Sequence, residues 1–414
     1  MTILERDELP DGPRSRKGVA QDRQVHLLLK GGELALEKVI PGIRGALIAA
    51  GAVEIRQNQD VSVWERDGWH PAHDLGYSHL LMSRPGYEHV LRQQVRWIGN
   101  VTIRDRTSAD SLLLEDGALV GVKIADPSGA RVERGDLFVV ATGRGGELAR
   151  YLADAGLAEV PATVLGIDVN YAAARFAKPT RFKGEARFIA CIPRPPDVRY
   201  GLVCPVENDE WVITLCGRFD RKAPTELEGF RNYAADLPIP DVAERLREAV
   251  PLGPVRAYRV RDASWWHFDR YADLPRRLIP IGDSISSFNP TFGQGMSVAA
   301  GHAVALREAL ARRQAENLGL DGLAGDYFPA AMDCSGQAWR LAGLVDLEYP
   351  RSRGERPPGF DRMVAGMEAM RRAAGRHLEV QRLRFEISNM IKPDSAVRRG
   401  PAARLIAAEL RKRG

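Results

Sequence analysis

Arg277-Leu278-Ile279-Pro280-Ile281-Gly282-Asp283, running on to Asn289-Pro290-Thr291-Phe292-Gly293-Gln294-Gly295-Met296, is the stretch that decides the reading of this chain. Residues 277–281 form a short apolar run expected as a strand. An acid follows, then a polar loop with Pro and two Gly, and then helical periodicity over residues 296–313. That order puts one carboxylate at the carboxyl end of a strand and several backbone N–H groups at the start of a helix. Such an N-terminus carries partial positive charge and unpaired donors, and it suits anionic or electron-rich ligand groups. Asp283 is placed to accept from a ligand hydroxyl, and Gly293 and Gly295 let backbone approach a flat ligand closely. An ordinary strand–loop–helix crossover has the same outline.

With 414 residues, the chain is long enough for two interlocked domains or one large α/β unit. An apolar fraction of 44% supplies a substantial core, and a net charge of +5 is small for this size. Neither suits a disordered chain or a dedicated nucleic-acid binder. Cys191, Cys204, Cys216 and Cys334 form no C-x-x-C pair, so they read as small buried apolar groups in a reducing cytoplasm rather than a zinc or disulfide framework. No apolar run reaches the roughly 18 residues of a membrane span, and no signal peptide is evident.

Along the chain, strands are expected at 2–4, 53–56, 61–65, 101–104, 111–114, 118–124 and 137–141, with turns at Asp67-Gly68 and Asp116-Gly117. Helices are expected at 25–39, 43–50, 84–97 and 147–156. A second sheet follows at 164–172, 187–191, 201–206, 211–219 and 255–260, interleaved with helices at 226–236 and 241–249. Beyond the Asp283 region the pattern is helical to the end. The fold class is therefore α/β (α+β): a discontinuous Rossmann-like cofactor domain with an inserted sheet domain and a helical C-terminus. The expected divisions are 1–160, including a substrate-side strand region near 53–80, then 161–270, 271–348 and 349–414.

The Gly282–Met296 string resembles the second FAD-contact motif of flavoprotein monooxygenases of the para-hydroxybenzoate-hydroxylase kind, among them the squalene-epoxidase-like branch. The resemblance covers roughly residues 2–348. It implies FAD contacts from Asp283, Pro290, Gly293, Gln294, Gly295 and Met296. Glu5 and Arg6 match the pair that meets the adenosine ribose and adenine edge. Arg16, in Arg14-Ser15-Arg16-Lys17-Gly18, matches a loop arginine, with Arg14 a rival. Arg84, after Ser83, matches an arginine whose guanidinium forks onto phosphate. Thr107 is a candidate backbone contact to adenine. No metal site and no catalytic acid or base are expected. His26, where the family motif has lost its Pro and first His, reads as a core or capping residue.

Leu4-Glu5-Arg6-Asp7 resembles the end of the second strand of a dinucleotide-binding unit, which should follow a G-x-G-x-x-G loop by about 20 residues. Only four residues precede Glu5. Gly143-Arg144-Gly145-Gly146 does not supply that loop, because Leu148 stands at the third glycine position; it better resembles the A-T-G stretch near adenine. The expectation is an open reading frame that starts upstream of Met1, with a genuine truncation as the alternative.

The resemblance further implies an NAD(P)H-reduced flavin reacting with dioxygen through a C4a-hydroperoxide, to hydroxylate or epoxidise an organic small molecule, as in secondary metabolism. The helix beginning at Gly295-Met296 would direct its dipole at the flavin pyrimidine edge. Trp211, Phe219 and Trp265 are substrate-side candidates, with Trp266 and Phe268 beside them; aromatics at such spacings also serve as core. Trp265-Trp266-His267 departs from the W-x-W-x-I-P signature of flavin halogenases. A flavin-dependent reductase and a non-catalytic remnant remain the alternatives. The Arg-rich tail at 371–414 reads as a solvated helical face, with contact to an anionic membrane surface a lesser reading.

Overall fold

The computed structural model describes residues 1–66, 68–144 and 146–412. Asp67 of the expected 67–68 turn, Gly145 and the last two tail residues lie outside them. The helices are α1 (Lys30–Val39), α2 (Ile43–Ala49), α3 (Arg84–Arg96), α4 (Glu147–Asp154), α5 (Leu227–Ala235), α6 (Asp241–Glu248), α7 (Gly295–Ala315), α8 (Leu323–Asp346), α9 (Phe360–Ala374), α10 (Leu378–Ser388) and α11 (Gly400–Arg411).

A nine-stranded, mainly antiparallel sheet occupies the middle of the molecule. Its order is Ser286–Ser287, Arg256–Trp266, Ala162–Ala177, Glu210–Arg218, Arg199–Val206, Phe188–Cys191, Val61–Glu65 and Gly68–Trp69, with Val250–Pro251 paired to the Ala162–Ala177 strand. One face carries Phe176, Trp211, Ile213 and Leu215 and is packed by α5 and α6 through Phe230, Val242 and Leu246. The other face presents Tyr171, Tyr200 and Arg218 toward the Asn289–Thr291 loop and α8. The strands fit the β-branched and aromatic runs read from sequence.

Two short parallel pairs stand apart from this sheet. Thr2–Leu4 pairs with Thr102–Arg104, and Phe138–Val140 pairs with Leu278–Pro280. Arg6, just past the first strand, reaches Glu147 at the start of α4 at 3.3 Å and so ties the two pairs together. The apolar side of the second pair packs on α7 and α8 through Leu278, Ile279, Ala305 and Tyr327.

Three expectations are corrected. The first long helix begins at Lys30, not at residue 25. Residues 25–29 instead run extended over the sheet, where Val25 donates its N–H to Thr214 Oγ1 at 3.1 Å and Leu27 joins an apolar cluster. An unexpected strand at Gly129–Arg134 pairs with Ala118–Asp126. The expected strands at 164–172 and 255–260 are longer, reaching Ala177 and Trp266, with a bulge between Gly166 and Val169. At the C-terminus, Leu405 and Ile406 of α11 pack on Ala373, Val380 and Leu383, so that apolar stripe is covered by the chain's own helices.

Candidate functional site

The site begins where the two strands of the second parallel pair end. Ile281 still donates to Val140 O at 3.0 Å, and then the chain turns at Gly282, whose φ of 62° suits glycine. Ser284 Oγ accepts from Gly143 N at 3.3 Å, which joins the turn to the end of the neighbouring strand. Asp283 is thereby held at the strand end. Burial pushes its carboxyl pKa upward, and the guanidinium groups of Arg144 and Arg84 pull it back down. Its carboxylate accepts no hydrogen bond among the described residues.

Next comes the loop. Asn289, fully buried, accepts Thr291 N–H at 3.1 Å and the Thr291 hydroxyl at 2.7 Å, and donates to Asp346 Oδ1 at 2.6 Å. The Tyr171 hydroxyl meets Thr291 Oγ1 at 3.1 Å, and that of Tyr200 bonds the same oxygen. The loop is thus fastened to the sheet. Gly293 takes φ 65°, and a Cβ there would stand 3.3 Å from Leu27 Cβ. α7 then starts at Gly295 with no side-chain cap. A helix of 21 residues therefore presents its first N–H groups, with their partial positive charge, beside Asp283. A Cβ on Gly295 would lie 3.4 Å from Asp283 Oδ1, so the two are immediate neighbours.

Buried polar atoms without partners among the described residues gather around this point: both amide atoms of Gln294, Arg84 Nε and Arg144 Nη1. Each such atom costs about 1–3 kcal/mol, and folded proteins carry few of them. A cradle of free donors and one free carboxylate, at an uncapped helix start, fits a ligand with hydroxyls, ring carbonyls and phosphates. These are the groups FAD offers.

The sequence-predicted residues fall into one main group and several outliers. Arg84 opens α3 behind its cap Ser83, whose Oγ accepts from Gly86 N. It is felt electrostatically by Glu88, Asp283 and Arg16. Arg16 pairs with Glu5 at 3.0 Å, Asp7 at 3.1 Å and Glu88 at 2.7 Å. Thr107 donates its N–H to the Glu5 carbonyl at 2.8 Å. A continuous line therefore runs from Thr107 and Glu5 through Arg16, Glu88 and Arg84 to Asp283, Gln294, Gly295 and Met296. Pro290 is exposed at the loop's outer edge. Arg6 points to Glu147 with its side chain 63% exposed, at the rim.

The aromatic candidates are scattered. Trp211 is fully buried among the residues under α5 and α6, on the sheet face opposite the loop, so it is placed as a core residue. Phe268 is also core. Phe219 packs edge-on against Tyr349 with Arg351 over its ring, away from Asp283. Trp265 lies between the sheet end and α8, against Trp339 at 5.7 Å, with its indole N–H unpartnered.

Sequence reasoning missed Arg144. The stretch at 143–146 reads from sequence as a segment near adenine, but its Arg144 guanidinium lies close enough to pull the Asp283 pKa down while donating to the Phe288 carbonyl; an arginine directly after a glycine at a strand's carboxyl end is the available signal. It also missed Asn289 and Thr291 as the fastening of the loop. His26 borders this site: its Nδ1 meets the Gln24 carbonyl at 3.0 Å, and burial and Arg84 lower its pKa to about 4.

No family model matches the chain. It is 30% identical over 392 residues to Protein Rv3254 of Mycobacterium tuberculosis (strain ATCC 25618 / H37Rv), covering 89% of this chain and 81% of that protein. The chain belongs to the family of Protein Rv3254. Among solved structures, it is similar to a flavoprotein/dehydrogenase from Cytophaga hutchinsonii (TM-score 0.71, 16% identity, 100% of this chain and 94% of that one). It is also similar to the flavin-dependent brominase Bmp2 (0.68, 14%, 100% and 92%). A third is pqsL, a probable FAD-dependent monooxygenase from Pseudomonas aeruginosa (0.61, 17%, 84% and 90%). At these identities the likeness is one of fold: the chain has the mixed α/β fold of FAD-binding flavoenzymes.

Proposed function

We propose that this protein is an FAD-dependent monooxygenase that hydroxylates or epoxidises an organic small molecule, with NAD(P)H as a transient reductant and dioxygen as co-substrate. The observation that carries the reading is the set of buried, unpartnered polar atoms of Arg84, Arg144 and Gln294 around Asp283, at the uncapped start of α7. In this reading Asp283 accepts a ribityl hydroxyl, Arg84 meets the pyrophosphate, and Glu5 with Arg16 and Arg6 serves the adenosine end, with Thr107 behind Glu5. Pro290, Gly293, Gln294, Gly295 and Met296 border the ring system. Bound flavin, once reduced, supplies the activation of oxygen. The chain's own part is to hold that ring, place the partial positive charge of α7 at its electron-rich edge, and keep water from the reacting face.

Residues 1–160 and 271–348 are read as the two parts of the cofactor domain, with 161–270 as the substrate-facing sheet domain and 349–414 as a helical covering. Trp265 is the aromatic candidate retained for the substrate side, and the cytoplasm is the proposed location.

A flavin-dependent reductase or dehydrogenase is the second reading. It is favoured by the likeness to the Cytophaga hutchinsonii flavoprotein/dehydrogenase. Purified protein titrated with FAD should develop a bound-flavin visible spectrum, and a folded protein that takes up no FAD overturns both readings in favour of a non-catalytic remnant. With NAD(P)H and a turned-over substrate, label from ¹⁸O₂ in the product supports the monooxygenase; substrate turnover without label supports the reductase.

A further inference from the structure

His302 lies two turns into α7 and has no exposed surface. Its Nδ1 is 3.0 Å from the N of Gly282, and its Nε2 is 3.0 Å from Ala331 O and 3.0 Å from Ser335 Oγ. A backbone N–H can only donate and a backbone carbonyl can only accept. The two contacts therefore fix one neutral tautomer, with the hydrogen on Nε2 and the lone pair of Nδ1 receiving Gly282 N–H. Burial lowers the ring's pKa to about 4, in keeping with a neutral imidazole.

The contact falls at a point that needs a partner. The strand ladder ends with Ile281 donating to Val140, so the N–H of buried Gly282 has no strand opposite it among the described residues. Ala299 of the same helix backs the turn, 3.3 Å from where a Cβ on Gly282 would be. α8 holds the flanks: Tyr327 donates to Pro280 O at 3.0 Å, and Ser335, bonded to His302, also meets Ser286 Oγ at 2.9 Å. The residues before and after Asp283 are thus fixed from α7 and α8, while the Asp283 carboxylate itself accepts no hydrogen bond among the described residues.

We propose that His302 is a positioning residue of the cofactor site, its Nδ1 lone pair setting the Gly282–Asp283 turn so that the Asp283 carboxylate meets a ligand hydroxyl. The consequence for FAD rests on the cofactor reading above; the contact itself does not. His302→Leu removes the acceptor, and His302→Asn keeps one near the Nδ1 position.

With folding checked by circular dichroism and thermal melting, His302→Leu should bind FAD about 10- to 100-fold more weakly. His302→Asn should recover most of that loss and restore the bound-flavin absorption band. Long-range ¹H–¹⁵N NMR of the unaltered protein should show a bare Nδ1 and a protonated Nε2. A proton on Nδ1 overturns the proposal, as does a folded His302→Leu that binds FAD with native affinity, or a folded His302→Asn as impaired as His302→Leu. If His302→Leu does not fold, the Asn variant and the tautomer decide. If the unaltered protein takes up no FAD, the cofactor reading fails, and the tautomer still tests the contact.

Discussion

Asp283 is expensive for the protein without its ligand. Burial disfavours its charge, two arginines restore part of it, and no hydrogen bond from the described residues completes the compensation. A carboxyl whose folded pKa is raised above the unfolded value favours folding at low pH, and that contribution is lost as pH rises through the folded value. Asp283→Asn should therefore stabilise the ligand-free protein at pH 8 and do less at pH 4, where the carboxyl is already partly protonated. The same change should weaken FAD binding by about tenfold or more, because a ligand hydroxyl loses a charged acceptor. Thermal melts with and without FAD at the two pH values check this; an Asn variant less stable than the native apoprotein at pH 8 contradicts it. Asp283 is legible in sequence because a strand end is a local feature, and Arg84 because the resemblance singles out the arginine that opens α3. Arg144 is not, because its electrostatic influence on a residue 139 positions later is created by the pairing of Phe138–Val140 with Leu278–Pro280.

Elements show the same division. Sequence located α3 and α7 closely: α3 turns an apolar face inward behind its Ser83 cap, and α7 begins at a recognisable Pro- and Gly-rich stop in the preceding pattern. It extended α1 five residues too far, because Val25, Leu28 and Leu29 stand at helical i, i+3, i+4 spacing and nothing local reveals that Thr214, in a distant strand, claims the Val25 N–H. Gly31 and Gly32 let the first turn of α1 pack closely: a Cβ on Gly32 would collide with Ser297 of α7, and one on Gly31 with the Met390 carbonyl. Leu29 donates to Ser297 Oγ at 3.1 Å at the same crossing. Gly32→Ala should gain helix propensity but lose more to overpacking, a net cost of about 1–3 kcal/mol. As Ser297 is in the first turn of α7, FAD affinity should fall with it; urea unfolding and an FAD titration on the one variant test both. Thr291→Val is the companion test for the loop. Its methyl replaces the one oxygen shared by Tyr171, Tyr200 and Asn289, at a cost of about 1–3 kcal/mol. A variant as stable as the native chain contradicts it.

Across the whole molecule, the order of strands and helices was readable, and so was the change from one sheet to another, because these follow from runs of a single period. The placement of buried charge was not, because it depends on which loops cover which faces. Its clearest consequence is an acid limit on stability. His79 (7% exposed) and His302 (0%) both have pKa values lowered to about 4, chiefly by burial, with Lys30 and Arg44 adding to the effect at His79. His26 shows the same lowering to about 4 from burial and Arg84. The folded value lies below the unfolded one, so between roughly pH 6.5 and pH 4 the unfolded chain binds more protons, and stability is lost as pH falls through that window. For a fully buried ring the loss amounts to about 3 kcal/mol across the window. Glu65, held well below the usual carboxylate range by Arg384 and His70 against the opposing cost of its burial, adds a further loss below the window, as its carboxylate is protonated. Urea midpoints should therefore be level from about pH 7 to 8 and decline steeply from about pH 6.5 downward. His79→Gln, which keeps a polar partner for Gln57 in place of the 2.6 Å contact from Nε2, should flatten part of that decline without changing its onset. A slope identical in the native chain and in His79→Gln would mean that this ring charges freely in the folded state and that burial does not set the acid limit.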